Sequence, residues 1–276
     1  MPELPEAEVI ASQLRARIVG AVLKDCWVGR PDIVRQGLET LDWYRGARIL
    51  AAERRGKSII LALARSDERR YFIAELGMTG LLLFRPPEMG YHKHTHLILS
   101  LDGGLESELR YWNPRRFGRI HLVDHLGMEG FLSRRFGLDP LTVPWDQFRQ
   151  LVKRRRGRLK ALLMHQQVIA GIGNIYANEV LFRARLHPYR TASRLRDQAI
   201  RRLYKALREV LHEAIHDGGS SIRNFVAPDG ARGRYQERHR VYGKAGEPCP
   251  NRCGNRIRRM GGERSSFYCA VCQRKS

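Results

Sequence analysis

Acidic residues are scarce in this chain. Its 276 residues carry 28 Asp and Glu against 50 Lys and Arg, a formal net charge of +22. A surplus of that size, rich in arginine, favours nucleic acid as partner, with membrane binding as the competing explanation. Long apolar runs are missing too. No stretch is long enough to span a bilayer, so no membrane partner is expected. The start, Met1-Pro2-Glu3-Leu4-Pro5-Glu6, sets acid and proline where an export signal needs base and an apolar stretch. Cysteine is rare: five in all, four of them within the last 28 residues. That excludes a disulfide framework for the body of the chain and fits a reducing compartment. No internal repeat is present. Composition leaves an enzyme acting on nucleic acid and a scaffold binding it both open.

The crowded cysteines form two close pairs, Cys249-Pro-Asn-Arg-Cys253 and Cys269-Ala-Val-Cys272. Two such pairs around a short basic segment read as a four-thiolate zinc site. A pair of disulfides is the alternative. With four thiolates no position stays open for water, so one structural Zn2+ per chain is expected.

Periodicity divides what precedes. Pro5 suits a first helical turn, and Ala7, Ile10, Ala11, Leu14 and Ile18 recur at helical spacing before Gly20 ends the run. Strand-length apolar segments follow at 58–64, 71–75, 81–84, 96–101 and 119–123. Residues 1–138 therefore read as a helix-capped antiparallel β-sandwich. Asp139-Pro-Leu-Thr-Val-Pro144 reads as a linker. Beyond it, 139–235 is helical: Trp145–His165 as one helix or two, Asn174–Arg183, and Ser193–His216 with Ser193 as N-cap. Residues 220–242 lack period and read as a loop or weak hairpin. Residues 236–276 carry the zinc hairpin. The class is α+β.

Some positions carry chemistry. Were Met1 removed, Pro2 would expose a terminal secondary amine, which titrates well below a lysine and can attack a sugar C1′ to form an iminium. Glu3 would stand beside it as a proton carrier. Most chains beginning Met-Pro carry no such chemistry, and there the proline only permits processing. Gly171-Ile-Gly-Asn174 joins two helices and can present amides to a phosphate, or simply make a capped turn. Trp112-Asn-Pro-Arg115-Arg-Phe117-Gly118 and Glu75-Leu-Gly-Met78-Thr-Gly80 place Arg and apolar side chains on loops. There they can fill the space left by an extruded base; singly, Met78 and Phe117 read as core. Arg54-Arg-Gly-Lys57 and His92-Lys-His94-Thr-His96 read as solvated, charged segments.

Together, Pro-Glu-Leu-Pro-Glu at the start, Gly56-Lys57, Leu-Gly-Met-Thr-Gly, Pro-Arg-Arg-Phe-Gly, Gly-Ile-Gly-Asn-Ile-Tyr-Ala-Asn-Glu and Arg264-Ser-Ser-Phe-Tyr-Cys269 resemble the bacterial formamidopyrimidine-DNA glycosylase family. That family includes the endonuclease VIII-type enzymes, and the match runs from Met1 to Gln273. The opening is closer to the formamidopyrimidine branch. The resemblance implies Pro2 as nucleophile, Glu3 as acid/base partner and Glu6 as a supporting acid near the lesion. It implies that Lys57 contacts DNA near the reacting sugar. Met78, Arg115 and Phe117 would fill the gap after base flipping, with Arg115 facing the orphaned partner base. His94 would touch DNA, Lys160 and Asn174 would hold phosphate, and Arg264 would grip phosphate at the lesion. The loop over 220–242 would close on the extruded base.

Departures accompany the match. Glu75 stands where His is expected, Asn113 where Asp is commoner, and His165 where Asp is usual. The first cysteine interval is one residue longer than usual, and the closing loop is rich in arginine (Arg223, Arg232, Arg234). The expected activity is a bifunctional glycosylase and abasic-site lyase removing oxidised purines from double-stranded DNA. A preference for oxidised pyrimidines, or damaged-DNA binding without catalysis, is the alternative. A monomer of the bacterial cytoplasm, associated with the nucleoid, is expected.

Overall fold

The computed structural model describes residues 2–86, 89–90, 93–222, 224–261 and 264–275. Met1, His92 and Arg223, named above, lie outside the described residues. The chain divides into two compact units. One holds Met1–Arg134 with Asp217–Arg234, the other Arg135–His216 with Tyr235–Ser276.

The first unit begins with helix α1 (Leu4–Ile18), whose Leu4, Ala7, Ile10, Ala11, Leu14 and Ile18 are buried at the spacing read from the sequence. Pro5 fits the first turn because an amide there needs no helical partner. Gly20 takes a left-handed φ of +93° just beyond the helix.

Nine strands follow: β1 (Val22–Val28), β2 (Val34–Gln36), β3 (Arg48–Arg55), β4 (Ser58–Arg65), β5 (Glu68–Glu75), β6 (Leu81–Phe84), β7 (Thr95–Asp102), β8 (Glu108–Trp112) and β9 (Arg119–Val123). A short helix, α2 (Leu41–Tyr44), precedes β3. Their hydrogen-bonded order is β2-β9-β5-β4-β3-β1-β7-β8-β6. Pairing is antiparallel except for β2 with β9. β1 meets β3 at one pair, Val22↔Arg48, but runs beside β7 from Val22↔Asp102 to Val28↔Leu97. The order is thus two halves, antiparallel but for β2 with β9, joined at a single pair. Leu61 and Leu63 of one half and Leu97 and Leu99 of the other share one core with α1.

β1, β3 and β8 carry no strand signal that the sequence reading used, because their polar residues interrupt the apolar run. β3, Arg-Ile-Leu-Ala-Ala-Glu-Arg-Arg, leaves alternate side chains exposed. β8 buries a charge instead. Arg110 is 1% exposed, and Glu108 at 2.7 Å together with the Pro86 carbonyl at 3.0 Å compensates it.

The second unit follows α3 (His125–Arg135) and contains α4 (Trp145–Arg154), α5 (Leu159–Met164), α6 (Asn174–Arg183) and α7 (Asp197–His216). The Trp145–His165 segment is two helices, broken over 155–158, where Gly157 stands among arginines. Helix α7 starts at Asp197, so Ser193 is not its N-cap. Ser193 lies instead in a tight turn over Ala192–Arg194, with its own N–H donated to the Arg155 carbonyl at 2.9 Å. Asp197 in the first turn of α7 is held by Arg149 at 2.8 Å and Lys153 at 3.1 Å. Strands β10 (Arg258–Met260) and β11 (Ser266–Tyr268) make a small antiparallel hairpin. Among the described residues no helix is long and apolar enough to cross a membrane.

Candidate functional site

The chain start packs into the first unit. Pro2 is buried, Glu3 is 2% exposed and Glu6 1%. Glu6 Oε2 accepts the Glu3 N–H at 2.7 Å, part of a capping box that fixes the first turn of α1. The positive end of the helix dipole favours both carboxylates there. Glu6 Oε1 accepts the Ser220 N–H at 2.7 Å. Gly219 makes this approach possible. Its φ is +81°, and a Cβ there would stand 2.9 Å from Glu6 Cγ. The Gly218-Gly219 pair, both at left-handed φ just beyond His216, delivers segment 220–234 to the carboxyl cluster.

Five further sequence-predicted residues sit on loops of this unit. Lys57, half-buried, occupies the β3–β4 turn, which Gly56 permits with φ +58°. Met78 is 38% and Phe117 53% exposed, so neither is the core residue that its type alone suggests. Their loops abut: a Cβ on Gly77 would lie 2.6 Å from Gly118 N and from Phe117 C. The Arg115 guanidinium stands 4.8 Å from the Phe117 ring centroid, which orients both side chains. His94, with φ +77°, sits edge-on to Trp112 at 6.5 Å between ring centroids.

Asn113 organises these loops and was recognised in the sequence only as a departure. It is fully buried. Its Oδ1 accepts from Thr79 Oγ1 and from the Arg116 N–H, both at 3.1 Å, and its Nδ2 donates to Tyr111 Oη at 2.9 Å. Tyr111 Oη in turn donates to the Glu75 carbonyl at 2.9 Å, so it needs a donor on its other side. An aspartate has none to give; the amide is what closes the network. The Glu75 departure also has a local partner, since its carboxylate meets His121 Nε2 at 2.9 Å.

In the second unit Lys160 and Arg264 border one cavity of about 470 Å³, with Arg158, Met164, His165 and Tyr189. Arg158 lies 4.3 Å over the Tyr189 ring. Lys160 is 5% exposed, and its Nζ donates to the Arg264 and Ser265 carbonyls at 2.9 and 2.8 Å and to Ser266 Oγ at 3.1 Å. Three ammonium donors thus hold the turn that carries Arg264. Asn174 opens α6, half-buried.

Two residues of the same motif do work that the sequence reading missed. Asn178 Oδ1 accepts the Phe267 N–H of β11 at 2.8 Å. Glu179 accepts the N–H groups of Arg240, Val241 and Tyr242 at 2.8, 3.0 and 2.8 Å. Burial raises the Glu179 carboxyl above the usual carboxylate range, opposed by those three N–H groups. An Asn-Glu pair within an otherwise apolar helix was the available signal. The Gly171–Glu179 motif therefore anchors the C-terminal hairpin.

Cys249, Cys253, Cys269 and Cys272 bring their sulfurs within 4.8 Å of one another. Cys249–Cys272 and Cys253–Cys269 are 3.8 and 3.4 Å apart, too long for disulfides, whose bond is about 2.05 Å. A tetrahedron with zinc–sulfur bonds of about 2.3 Å has edges of about 3.8 Å, so the four thiols fit one such ion.

Known proteins match over the whole chain. A family model described as the formamidopyrimidine-DNA glycosylase N-terminal domain matches residues 1–120, and one described as the H2TH domain of that glycosylase matches 136–226. A formamidopyrimidine-DNA glycosylase of Pelotomaculum thermopropionicum is 38% identical over 281 residues, 99% of each chain. The crystal structure of the Thermus thermophilus protein shares 39% identity over 100% of both chains, with a TM-score of 0.85. The Lactococcus lactis protein, crystallised in complex with DNA containing an abasic site, is 33% identical over 99% of this chain and 100% of its own, with a TM-score of 0.88.

Proposed function

The chain belongs to the formamidopyrimidine-DNA glycosylase family, and from that premise we propose that it excises oxidised purines from duplex DNA and then cleaves the resulting abasic strand. The observation that carries this reading is the buried start of the chain, where Pro2 adjoins Glu3 and Glu6 and where Glu6 also holds Ser220.

Once Met1 is removed, the Pro2 nitrogen attacks C1′ of the damaged nucleotide. The C1′–N glycosidic bond breaks and the base leaves with the bonding pair, protonated through the nearby carboxyl group. The amine gives up its N–H proton as the new C1′–N bond forms. The C1′–O4′ bond then opens, O4′ takes a proton, and the nitrogen lone pair completes a C1′=N iminium that is cationic without further protonation, so the opened sugar becomes an electron sink. Loss of a C2′ proton then expels the 3′ phosphate by β-elimination, and a second elimination expels the 5′ phosphate. Glu3 carries protons, and Glu6 keeps the first turn and the 220 segment in register. Met78 and Phe117, already solvent-facing, enter the gap that the extruded base leaves, with Arg115 toward the orphaned base. Lys57, Arg264, Asn174 and His94 hold the DNA backbone, and Lys160 acts by positioning Arg264. Zinc in the four-cysteine cluster supplies a rigid support for that arginine and no Lewis-acid step. The protein works as a monomer in the bacterial cytoplasm, on the nucleoid.

Borohydride trapping tests this reading. Duplexes carrying 8-oxoguanine, a formamidopyrimidine, an oxidised pyrimidine or an abasic site are each incubated with protein and reductant. Covalent adducts are expected on the abasic duplex and on both purine lesions, with slower trapping on the pyrimidine. Reversal of that order assigns the pyrimidine specificity instead; tight binding with no adduct anywhere assigns a non-catalytic binder.

Salt dependence addresses the backbone contacts. Lys57→Gln and Arg264→Gln should each lower the slope of log binding constant against log salt by about 0.9, the loss of one phosphate contact. An unaltered slope removes that residue from the interface.

A further inference from the structure

Segment 217–234 is tied to α1 at two points. Its root is the Ser220 N–H on Glu6. Its tip is Asp229, which meets Gln13 in a reciprocal pair. Gln13 Nε2 donates to Asp229 Oδ2 at 2.8 Å, and the Asp229 N–H donates to Gln13 Oε1 at 3.2 Å. Glu6 and Gln13 are seven residues apart, hence on one helix face about 10 Å from each other.

Between root and tip the chain is pinned inside. Ser221 Oγ donates to the Phe225 carbonyl at 2.7 Å and accepts the Gly233 N–H at 2.9 Å. Phe225 is 5% exposed within the core of the first unit. At the tip the Phe84 N–H donates to the Pro228 carbonyl at 2.8 Å, and Asp229 Oδ1 accepts the Ala231 N–H at 2.9 Å. Ile222 and Asn224 remain exposed. A single rigid helix therefore holds the Pro2–Glu3 end, the root and the tip in fixed register.

We propose that Gln13 and Asp229 are a positioning pair for base excision: their clasp steadies the segment that bears the exposed Ile222 and Asn224 and that is rooted through Ser220 on Glu6, at the nucleophile end of α1. This rests on the glycosylase reading above. An extruded base must be held while the glycosidic bond breaks, so the clasp acts on that step. An abasic sugar has no base to hold, so its cleavage by the N-terminal cluster and the backbone contacts does not need the clasp.

The test uses the full chain. Gln13→Glu sets a carboxylate against Asp229 and removes the only donor on the helix side of the clasp. The double variant Gln13→Glu/Asp229→Asn exchanges donor and acceptor and restores two hydrogen bonds. Single-turnover release of 8-oxoguanine should fall about tenfold in Gln13→Glu, the scale of one charge-assisted hydrogen bond. Cleavage of a preformed abasic duplex should stay within about twofold, and the double variant should recover base release. Trypsin cleavage at Arg232 and Arg234 of the DNA-free protein should quicken in the single variant and return to the wild-type rate in the double. Unchanged base release, an equal fall in both activities or a double variant no better than the single overturns the clasp. Wild-type protein inert on the abasic duplex defeats the glycosylase reading instead, while the trypsin rates still judge the clasp on their own.

Discussion

Pro2→Gly should lower borohydride trapping on an abasic duplex by about a hundredfold or more while duplex affinity stays within about twofold. Two physical changes produce the loss. Proline's secondary amine yields a permanently cationic iminium, whereas a primary amine yields an imine that must take up a proton before it withdraws electrons. Pro2 is also buried beside Glu3 and Glu6, so its ring fixes the direction of the nitrogen. Glycine removes that packing and adds backbone freedom at the reacting atom. Affinity survives because the cationic and loop residues assigned to DNA lie elsewhere in the chain. The checks are peptide mass spectrometry of the reduced adduct, expected to place deoxyribose on the first mature residue, and a binding isotherm at fixed salt. Trapping at the wild-type rate with the deoxyribose found on a lysine peptide would move the nucleophile to that lysine.

Metal removal should be the second large effect. We expect metal analysis to find one zinc per chain, and chelation to unfold the C-terminal hairpin without melting the first unit. The hairpin has little core of its own. β10 and β11 are three residues each, and their core is Phe182, Val241, Cys249, Ile257 and Cys269. A two-stranded ribbon of that size is marginal in water, and structural zinc contributes about 10–16 kcal/mol in small fingers. Without it, the anchors from Asn178, Glu179 and Lys160 hold a segment with no fold of its own. Cys253→Ser should therefore lose zinc, speed trypsin cleavage after Arg256, Arg258 and Arg259, which are exposed but held in the folded hairpin, and weaken duplex binding by more than about tenfold. Circular dichroism of the β-rich first unit should not change. A chelated protein with an intact hairpin would show that the cysteines hold no structural ion.

Much of the proposed chemistry was read from the chain because its signals are local. A proline at the second position, two cysteine pairs at metal spacing and glycines at tight turns act over a few residues, and α1 follows from a plain helical period. The loops bearing Met78 and Phe117 were harder. Residue type argued for the core, and only the close approach of Gly77 to Phe117 and Gly118 places both side chains at solvent. Helix α7 was begun four residues early, because Ser193 has a capping side chain but lies in a turn bonded to Arg155.

The amino-acid sequence by itself determined the family, the α+β class and the four clustered cysteines, and it supplied the positions proposed for the reaction, since short-range spacing and composition encode each of these. Tertiary structure alone decided what those positions lean on. It gave Asn113 its three partners, turned Lys160 inward to the Arg264 turn, and set Glu179 on three amides of the chain leading into the hairpin. It also joined Gln13 to Asp229 across 216 residues. Such pairings depend on where the backbone returns after long excursions, and a buried polar group is satisfied by whatever donor or acceptor the return brings within about 3 Å.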